Sequence, residues 1–103
     1  MIARGYNLAI EWLWRCVMFY NYAELEDGTQ LAFSNVLDGG EVQVSIERPV
    51  ELGFDSAMCT LPAFEWSEIE GFDEADIARF DSFVHNNAQL ILRLAREASR
   101  EYA

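Results

Sequence analysis

The 103-residue sequence contains no lysine, one histidine, two cysteines and two prolines. So few histidines and cysteines leave little material for a zinc site, because structural zinc usually takes four such ligands. Cys16 and Cys59 are expected to be reduced, small apolar residues, since no secretory signal points to an oxidising compartment. We therefore expect neither a metal nor a cofactor.

A long uninterrupted apolar run is also missing, so the sequence predicts no transmembrane helix. The most apolar segment, Leu8 to Tyr22, contains Glu11 and Arg15 and lacks the small-residue cleavage site of a signal peptide. It is better explained as a core strand, and its first part, residues 8–14, is compatible with a strand or with a short helix capped by Asn7. We expect a cytoplasmic protein that does not bind membranes.

Basic residues are scarce, since seven arginines stand against 18 Asp and Glu residues, for a net charge of −11. Residues 24–76 carry 14 of these acids and one arginine, whereas each flanking segment has a net charge of +1. Nucleic-acid phosphates and anionic membranes both attract basic surfaces, so direct binding to either is not expected. The acidity is explained by solubility, by attraction to a basic partner or by mimicry of a nucleic acid.

The apolar content suffices for one core, because 51% of the residues are hydrophobic and 14% are aromatic. No repeat, low-complexity segment or domain boundary is evident, so we expect a single domain over residues 1–103. The aromatic side chains near the N-terminus are expected to fill the core rather than to form a surface patch. They are Trp12, Trp14, Tyr20 and Tyr22.

Alternating polar and apolar residues predict an antiparallel sheet in the first part of the chain. Residues 16–25 are expected to form a central strand, which the hairpin signal Asp27-Gly28 joins to a strand at 29–36. A second turn at 38–40 leads to the clearest strand, 41–47. Its buried face is expected to carry Val42, Val44 and Ile46.

The stretch SIERPVELGFDSAMCTLPAFEW, from Ser45 to Trp66, is expected to form the edge of the sheet. Pro49 cannot donate to a strand ladder, so the third strand either ends there or lies at an edge. Residues 57–61 predict a short fourth strand, and residues 63–72 predict a connecting segment. The residues expected on the solvated face and turn are Glu47, Arg48, Glu51 and Asp55.

The C-terminal third predicts one long helix. Asp73 is the expected N-cap, with Phe72 and Ile77 as a hydrophobic staple. Acidic residues lie near the start and arginines near the end, as the helix dipole favours. One apolar stripe consists of Ile77, Phe80, Val84, Ala88, Ile91, Ala95 and Ala98.

This helix is expected to have roughly 28 residues and a length of about 40 Å, which is roughly twice that of a six-residue strand. It must therefore cross the sheet diagonally, overhang it or break in two. An overhang that exposes Leu90 and Leu94 would favour a homodimer. The expected fold class is α+β, an antiparallel meander of four to five strands packed against one long C-terminal helix.

Acidic residues cluster around the start of the helix and the segment before it. Carboxylates bind hard cations, but the ordered Asp and Asn pattern of a calcium loop is absent. We interpret the cluster as a solvated surface that could bind another protein and to which Trp66 adds an aromatic contact. The candidate partner-binding residues are Glu65, Trp66, Glu68, Glu70 and Glu74.

His85 is the only histidine, and Asp81 lies four residues earlier on the same helix face. A general base also needs a nucleophile, which Cys16 or Cys59 would have to supply. The sequence has no Gly-rich phosphate loop, nucleophile elbow or zinc-ligand spacing. We therefore assign no catalytic residue and keep a small enzyme that uses His85 as an alternative.

Four motifs follow one another from about Asp27 to about Ala98: EDGT, ERPVELGFDSA, LPAFEW and a helix that contains NNA. In this order they resemble a group of short uncharacterised bacterial proteins. The resemblance implies a bacterial cytoplasmic source, and it carries over no activity and no functional residue.

Taken together, these features favour a small non-enzymatic interaction protein that binds another protein or itself as a homodimer. The acidic middle of the chain, the aromatic content and the long helix all support this interpretation. The first alternative is an acidic nucleic-acid mimic that inhibits a DNA- or RNA-binding protein. The second alternative is the enzyme that uses His85.

Overall fold

The computed structural model describes residues 18–101 of the chain. Five antiparallel strands form one sheet in sequence order, and a single long helix follows them. The predicted α+β meander with a C-terminal helix is therefore confirmed. The expectations for residues 8–14 and for Cys16 fall outside the described residues. The elements are β1 (Phe19–Glu24), β2 (Gln30–Ser34), β3 (Val42–Val50), β4 (Gly53–Leu61), β5 (Glu65–Glu70) and α1 (Glu74–Glu101).

Both predicted turns are confirmed. At the first, the Leu25 N–H donates to the Thr29 carbonyl at 2.8 Å, and Gly28 adopts a φ of 90°, which favours glycine. The second is a short 3-10 turn, Asp38–Gly40, between β2 and β3. Turn chemistry is local, which is why the sequence located both connections.

The strand expected at residues 16–25 was predicted to be central, and this placement is wrong for the described part of it. Within residues 18–101, β1 pairs only with β2 and forms one edge of the sheet. Tyr20 and Tyr22 are half-buried, and their ring centroids lie 5.6 and 6.3 Å from that of Phe33. The aromatic character of β1 thus reflects packing on one face. The two tyrosines do contribute to the core, as expected.

The stretch from Ser45 to Trp66 does not form the edge of the sheet, contrary to the prediction. It contains most of β3 and all of β4, which are inner strands paired from Val42–Leu61 to Val50–Gly53, and only its last two residues, Glu65 and Trp66, belong to an edge strand, β5. Pro49 is tolerated because it lies beyond the last pair between β2 and β3, Gln30–Glu47. One side of β3 has no strand neighbour there, so a residue without an N–H interrupts no ladder on that side.

The segment 63–72 is not only a connection, because it contains the fifth strand, β5. This strand pairs with β4 and forms the second edge of the described sheet. The register shifts between Ser56 and Met58, opposite Glu68, whose φ is 52°. Such a bulge breaks the two-residue alternation, which explains why the sequence pattern concealed the strand.

The core lies between one face of the sheet and α1. The predicted stripe of the helix is confirmed, since its central residues are buried and its two ends, Ile77 and Ala98, are half-buried. The sheet side includes Leu31, Phe33, Cys59 and the three residues predicted for β3. The buried stripe residues are Phe80, Val84, Ala88, Ile91 and Ala95.

Both ends of α1 are fixed. Asp73 caps the helix as predicted, because its carboxylate accepts the Asp76 N–H at 2.8 Å while the Asp76 carboxylate accepts the Asp73 N–H at 3.2 Å. Near the other end, the Val36 N–H donates to the Ser99 hydroxyl at 2.8 Å. The helix is one continuous element of 28 residues, so it does not break in two. Leu94 is half-buried and Leu90 is 40% exposed.

Helix α1 carries charged residues along most of its length. Within residues 18–101, no helix is both long and apolar enough to span a membrane.

Candidate functional site

The structure does not bring the five predicted partner-binding residues together on one surface. Glu65 and Glu70 pair with Thr60 and Ser56, which lie on the sheet face opposite α1, because the alternate residues of β4 are buried beneath the helix. Trp66 pairs with buried Cys59 and therefore faces α1. Glu74 begins α1, and Glu68 occupies the exposed bulge of β5.

A groove of about 440 Å³ lies between β5 and the first turns of α1, and we call it the β5–α1 groove. Its helix wall is built from residues 74, 77, 78 and 81, which share one face at steps of three and four. Two of the predicted residues, Trp66 and Glu74, line it. The apolar lining consists of Trp66, Ile69, Phe72, Ile77 and Ala78.

The polar lining of the β5–α1 groove is entirely acidic. It consists of Asp73, Glu74 and Asp81, and no basic residue of the described chain lines the groove. Asp73 caps the helix, and the Asp81 carboxylate accepts the Trp66 indole N–H at 2.9 Å. Glu74 is exposed at the first position of the helix, and within residues 18–101 it takes part in no ion pair. The groove therefore presents a negative rim around an apolar floor.

Arg48 fixes the end of the groove next to Phe72. Its guanidinium lies 2.7 Å from the Asp55 carboxylate, 3.5 Å from Asp76 and 3.8 Å from Asp27. The guanidinium carbon also lies 4.8 Å from the centroid of the Phe72 ring. The hydrogen bond to Asp55 raises the pKa of Arg48 above its already high value. One side chain thus joins β3, β4, the first hairpin turn and α1.

The prediction that Arg48 and Asp55 lie on the solvated face is wrong. Since β3 continues through Pro49, the alternation that buries Val44 and Ile46 also turns Arg48 toward the helix. The side chains of Arg48 and Asp55 are only 23% and 16% exposed. This pair is a structural element beneath the helix start.

A second arginine completes the neutralisation of this region. Arg79 lies 3.3 Å from Asp27 and 3.9 Å from Asp76, and its guanidinium carbon lies 4.7 Å from the Phe80 ring centroid. The pKa of Asp27 is lowered to about 2, first by the side chain and the backbone N–H of Thr29 and then by Arg79. The acids beside Arg48 and Arg79 are therefore paired with arginine, whereas within residues 18–101 those that line the groove have no arginine partner.

The structure places His85 next to Asp81, as their spacing predicted. The His85 Nδ1 atom lies 2.9 Å from the Asp81 carbonyl and 3.4 Å from its carboxylate, and the exposed ring stacks on Phe64 at 3.7 Å. Cys59 is fully buried, and desolvation together with the charge of Asp81 raises its pKa to about 12. A thiol reacts as the thiolate, so Cys59 is inert near neutral pH.

A metal site is likewise not formed by the described residues. Within residues 18–101, no three His, Cys, Asp or Glu side chains are arranged to hold an ion. Glu65 and Glu70 lie on the sheet face opposite α1, whereas at the helix start Asp73 serves as the cap and Asp76 lies beside Arg48.

The hairpin tip between β3 and β4 is an exposed apolar surface that the sequence pattern did not predict. Val50, Leu52 and Phe54 are exposed there, and we call these three residues the β3–β4 tip. Leu52 is fully exposed and has a φ of 72°, a conformation that usually favours glycine or asparagine. The available signal was the alternation of large apolar residues on both sides of Gly53, within a segment that otherwise reads as a turn.

Comparisons with known proteins identify no relative. No family model, no curated protein and no solved structure matches the chain. The resemblance to short bacterial proteins therefore stays a prediction.

Proposed function

We propose that this protein is a non-enzymatic interaction module that binds a protein partner in the β5–α1 groove. One observation carries the proposal: an apolar groove at a sheet edge opens to solvent within a rim of carboxylates that have no arginine partner among the described residues. Ile69, one of its lining residues, is 43% exposed. A contiguous exposed apolar surface is typical of recognition sites. Such residues would stabilise the fold more if they were buried in the core, so their exposure at a groove favours a role in binding.

The walls of the groove are held in place before any partner arrives. The hydrogen bond from Trp66 to Asp81 joins β5 to α1, and Arg48 packs against Phe72 from below. A fixed surface loses little conformational entropy on binding, so more of the contact energy remains as affinity. Trp66 provides the kind of aromatic side chain that often dominates binding energy.

A matched pair of variants tests this proposal. Ile69 and Leu90 are similarly exposed, at 43% and 40%, but only Ile69 lines the groove. We expect the proteins that the wild type retains from an extract of its source organism to be lost with Ile69→Asp and kept with Leu90→Asp. Equal retention by the two variants would contradict the proposal.

Binding to a second copy is one form of the same proposal. Sedimentation velocity at several concentrations should then show self-association that Ile69→Asp removes and Leu90→Asp preserves. Because the rim is acidic, the association of two copies should strengthen as salt screens their repulsion.

We further propose a bacterial cytoplasmic location. The buried free thiol of Cys59 and the resemblance of the sequence to short bacterial proteins support it.

The nucleic-acid mimic has less support. A mimic should present its carboxylates in a row spaced like phosphates. Here Glu65 and Glu70 lie on the sheet face opposite α1, Glu74 lies at the groove, and Asp27 and Asp55 are bound by arginine. The enzyme that uses His85 also stays a prediction, and the inert state of Cys59 gives it no support.

A further inference from the structure

We infer that the partner element of the β5–α1 groove is a basic peptide segment with at least one large apolar side chain. This inference rests on the proposed function and adds the chemistry of the partner. It follows from the charge of the rim, from the apolar floor and from the state of the Trp66 indole.

The charge of the rim favours lysine and arginine on the partner. Three carboxylates line the groove, those of Asp73, Glu74 and Asp81, and Glu68 lies on the adjoining strand. The arginines nearest to the start of α1 are already paired with other acids, namely Asp27, Asp55 and Asp76. An approaching basic segment is therefore attracted, while an acidic one is repelled.

The floor of the groove requires an apolar side chain as well as charge. Ile69, Phe72 and Ile77 provide aliphatic and aromatic surface in a groove of about 440 Å³, which falls in the size range of ligand sites. The Trp66 N–H is already donated to Asp81, so the indole offers its ring to a partner rather than a hydrogen bond. A ring of this kind accepts an apolar contact or a guanidinium group.

The same charges disfavour the other occupants. Phosphates of nucleic acids and anionic lipid head groups meet repulsion at the rim. A second copy would most easily insert the β3–β4 tip, but that tip carries Glu51 between Val50 and Leu52 and meets the same repulsion. A basic segment of a different protein fits both the charge and the apolar floor.

A selection from a displayed library of random dodecapeptides tests this inference on the full-length protein. We expect the enriched peptides to have a net positive charge and at least one large apolar residue. Synthetic peptides of the enriched sequences should shift the NMR signal of the Trp66 indole N–H, which lies at the groove. Their affinity should fall as the salt concentration rises.

Two double variants with the same change in net charge distinguish peptide binding in the groove from nonspecific attraction of basic peptides to an acidic protein. Glu68→Lys with Glu74→Lys alters the groove and its strand, whereas Asp38→Lys with Glu41→Lys alters exposed positions at the turn before β3. We expect the first pair to weaken the peptides by about tenfold or more and the second pair by less than about threefold. Circular dichroism of both proteins verifies that they remain folded.

Each other outcome overturns the inference. If the two double variants weakened peptide binding equally, the attraction would come from the overall negative charge of the protein and not from the groove. Enrichment of neutral or acidic peptides that shift the Trp66 signal would refute the basic partner and leave the interaction groove standing. If no peptide shifts Trp66 and Ile69→Asp also leaves retention from extracts unchanged, both the inference and the proposed function fail.

Discussion

The Arg48 guanidinium lies 2.7 Å from the carboxylate of Asp55, on the strand to which β3 is paired. The pair sits beneath the start of α1, where the same guanidinium also approaches Asp76 and the Phe72 ring. Removal of one partner from a pair this well covered leaves an uncompensated charge, which costs more than the pair itself contributes. Arg48 thus links the stability of the fold to the position of the groove wall.

We expect Arg48→Met to lower the free energy of unfolding by about 2 kcal/mol, because Asp55 and Asp76 lose their compensating charge. The expected loss of stability is smaller than that for breaking a fully buried ion pair, because the Arg48 side chain remains 23% exposed. Urea unfolding measures the change. Arg93→Met, at an exposed helix position, is the control and should change stability by less than about 0.5 kcal/mol. Equal effects of the two substitutions would refute this role of Arg48.

Gly71→Ala should destabilise the protein more than other glycine substitutions at positive φ. Gly71 has a φ of 89°, and a Cβ atom there would collide with the Asp55 carboxylate. Gly39 has a similar φ of 84°, but a Cβ atom there would meet open space. We expect a loss of about 2–3 kcal/mol at Gly71 and about 1 kcal/mol at Gly39, measured by urea unfolding. Equal losses at the two sites would show that the contact with Asp55 contributes nothing.

Leu52→Asn should stabilise the protein by about 0.5–1 kcal/mol, because asparagine tolerates the left-handed conformation better than leucine. Leu52 has a φ of 72° and buries no surface, so its removal costs no packing. The comparison is Leu90→Asn on α1, which should destabilise by about 0.5 kcal/mol through lower helix propensity. Thermal unfolding of the two variants should therefore move in opposite directions, and a lower Tm for Leu52→Asn would contradict the prediction.

Cys59 should resist thiol reagents in the folded protein. Its pKa is raised to about 12 by burial and by Asp81, so the thiol stays protonated at pH 8 and is shielded from reagent. In a Cys16→Ser background, we expect labelling by a maleimide only after addition of denaturant. Rapid labelling of the folded protein would refute this.

The same pKa predicts a loss of stability at high pH. The unfolded chain releases the Cys59 proton near its ordinary pKa of 9, whereas the folded protein holds the proton up to about 12. Folded stability from this group is therefore complete below pH 9 and falls as the pH rises toward 12. Cys59→Ala in the Cys16→Ser background should flatten the decline of the unfolding free energy over this range. An unchanged slope would contradict the raised pKa.

The candidate site was only partly predictable from the sequence. Trp66 and Glu74 were identified because acids and an aromatic residue cluster near residue 70, and both line the groove. Ile69 and Phe72 were not recognised, because their role depends on a bulge in β5 and on the helix that folds back beside it. Glu65 and Glu70 were grouped with the site by their position in the chain, but strand alternation turns them to the other face.

The sequence by itself determined the elements that depend on near neighbours. The Asp27-Gly28 hairpin, the Asp73 cap and the apolar stripe of α1 follow from turn chemistry, capping and periodicity within a few residues. Only the tertiary structure decided which strands lie at the edges, and on which side of the sheet Arg48 and Asp55 lie. These outcomes depend on contacts between segments that are distant in the sequence. Strand β3 extends past Pro49, beyond the last residue that pairs with β2, and α1 then covers Arg48 and forms the groove beside β5.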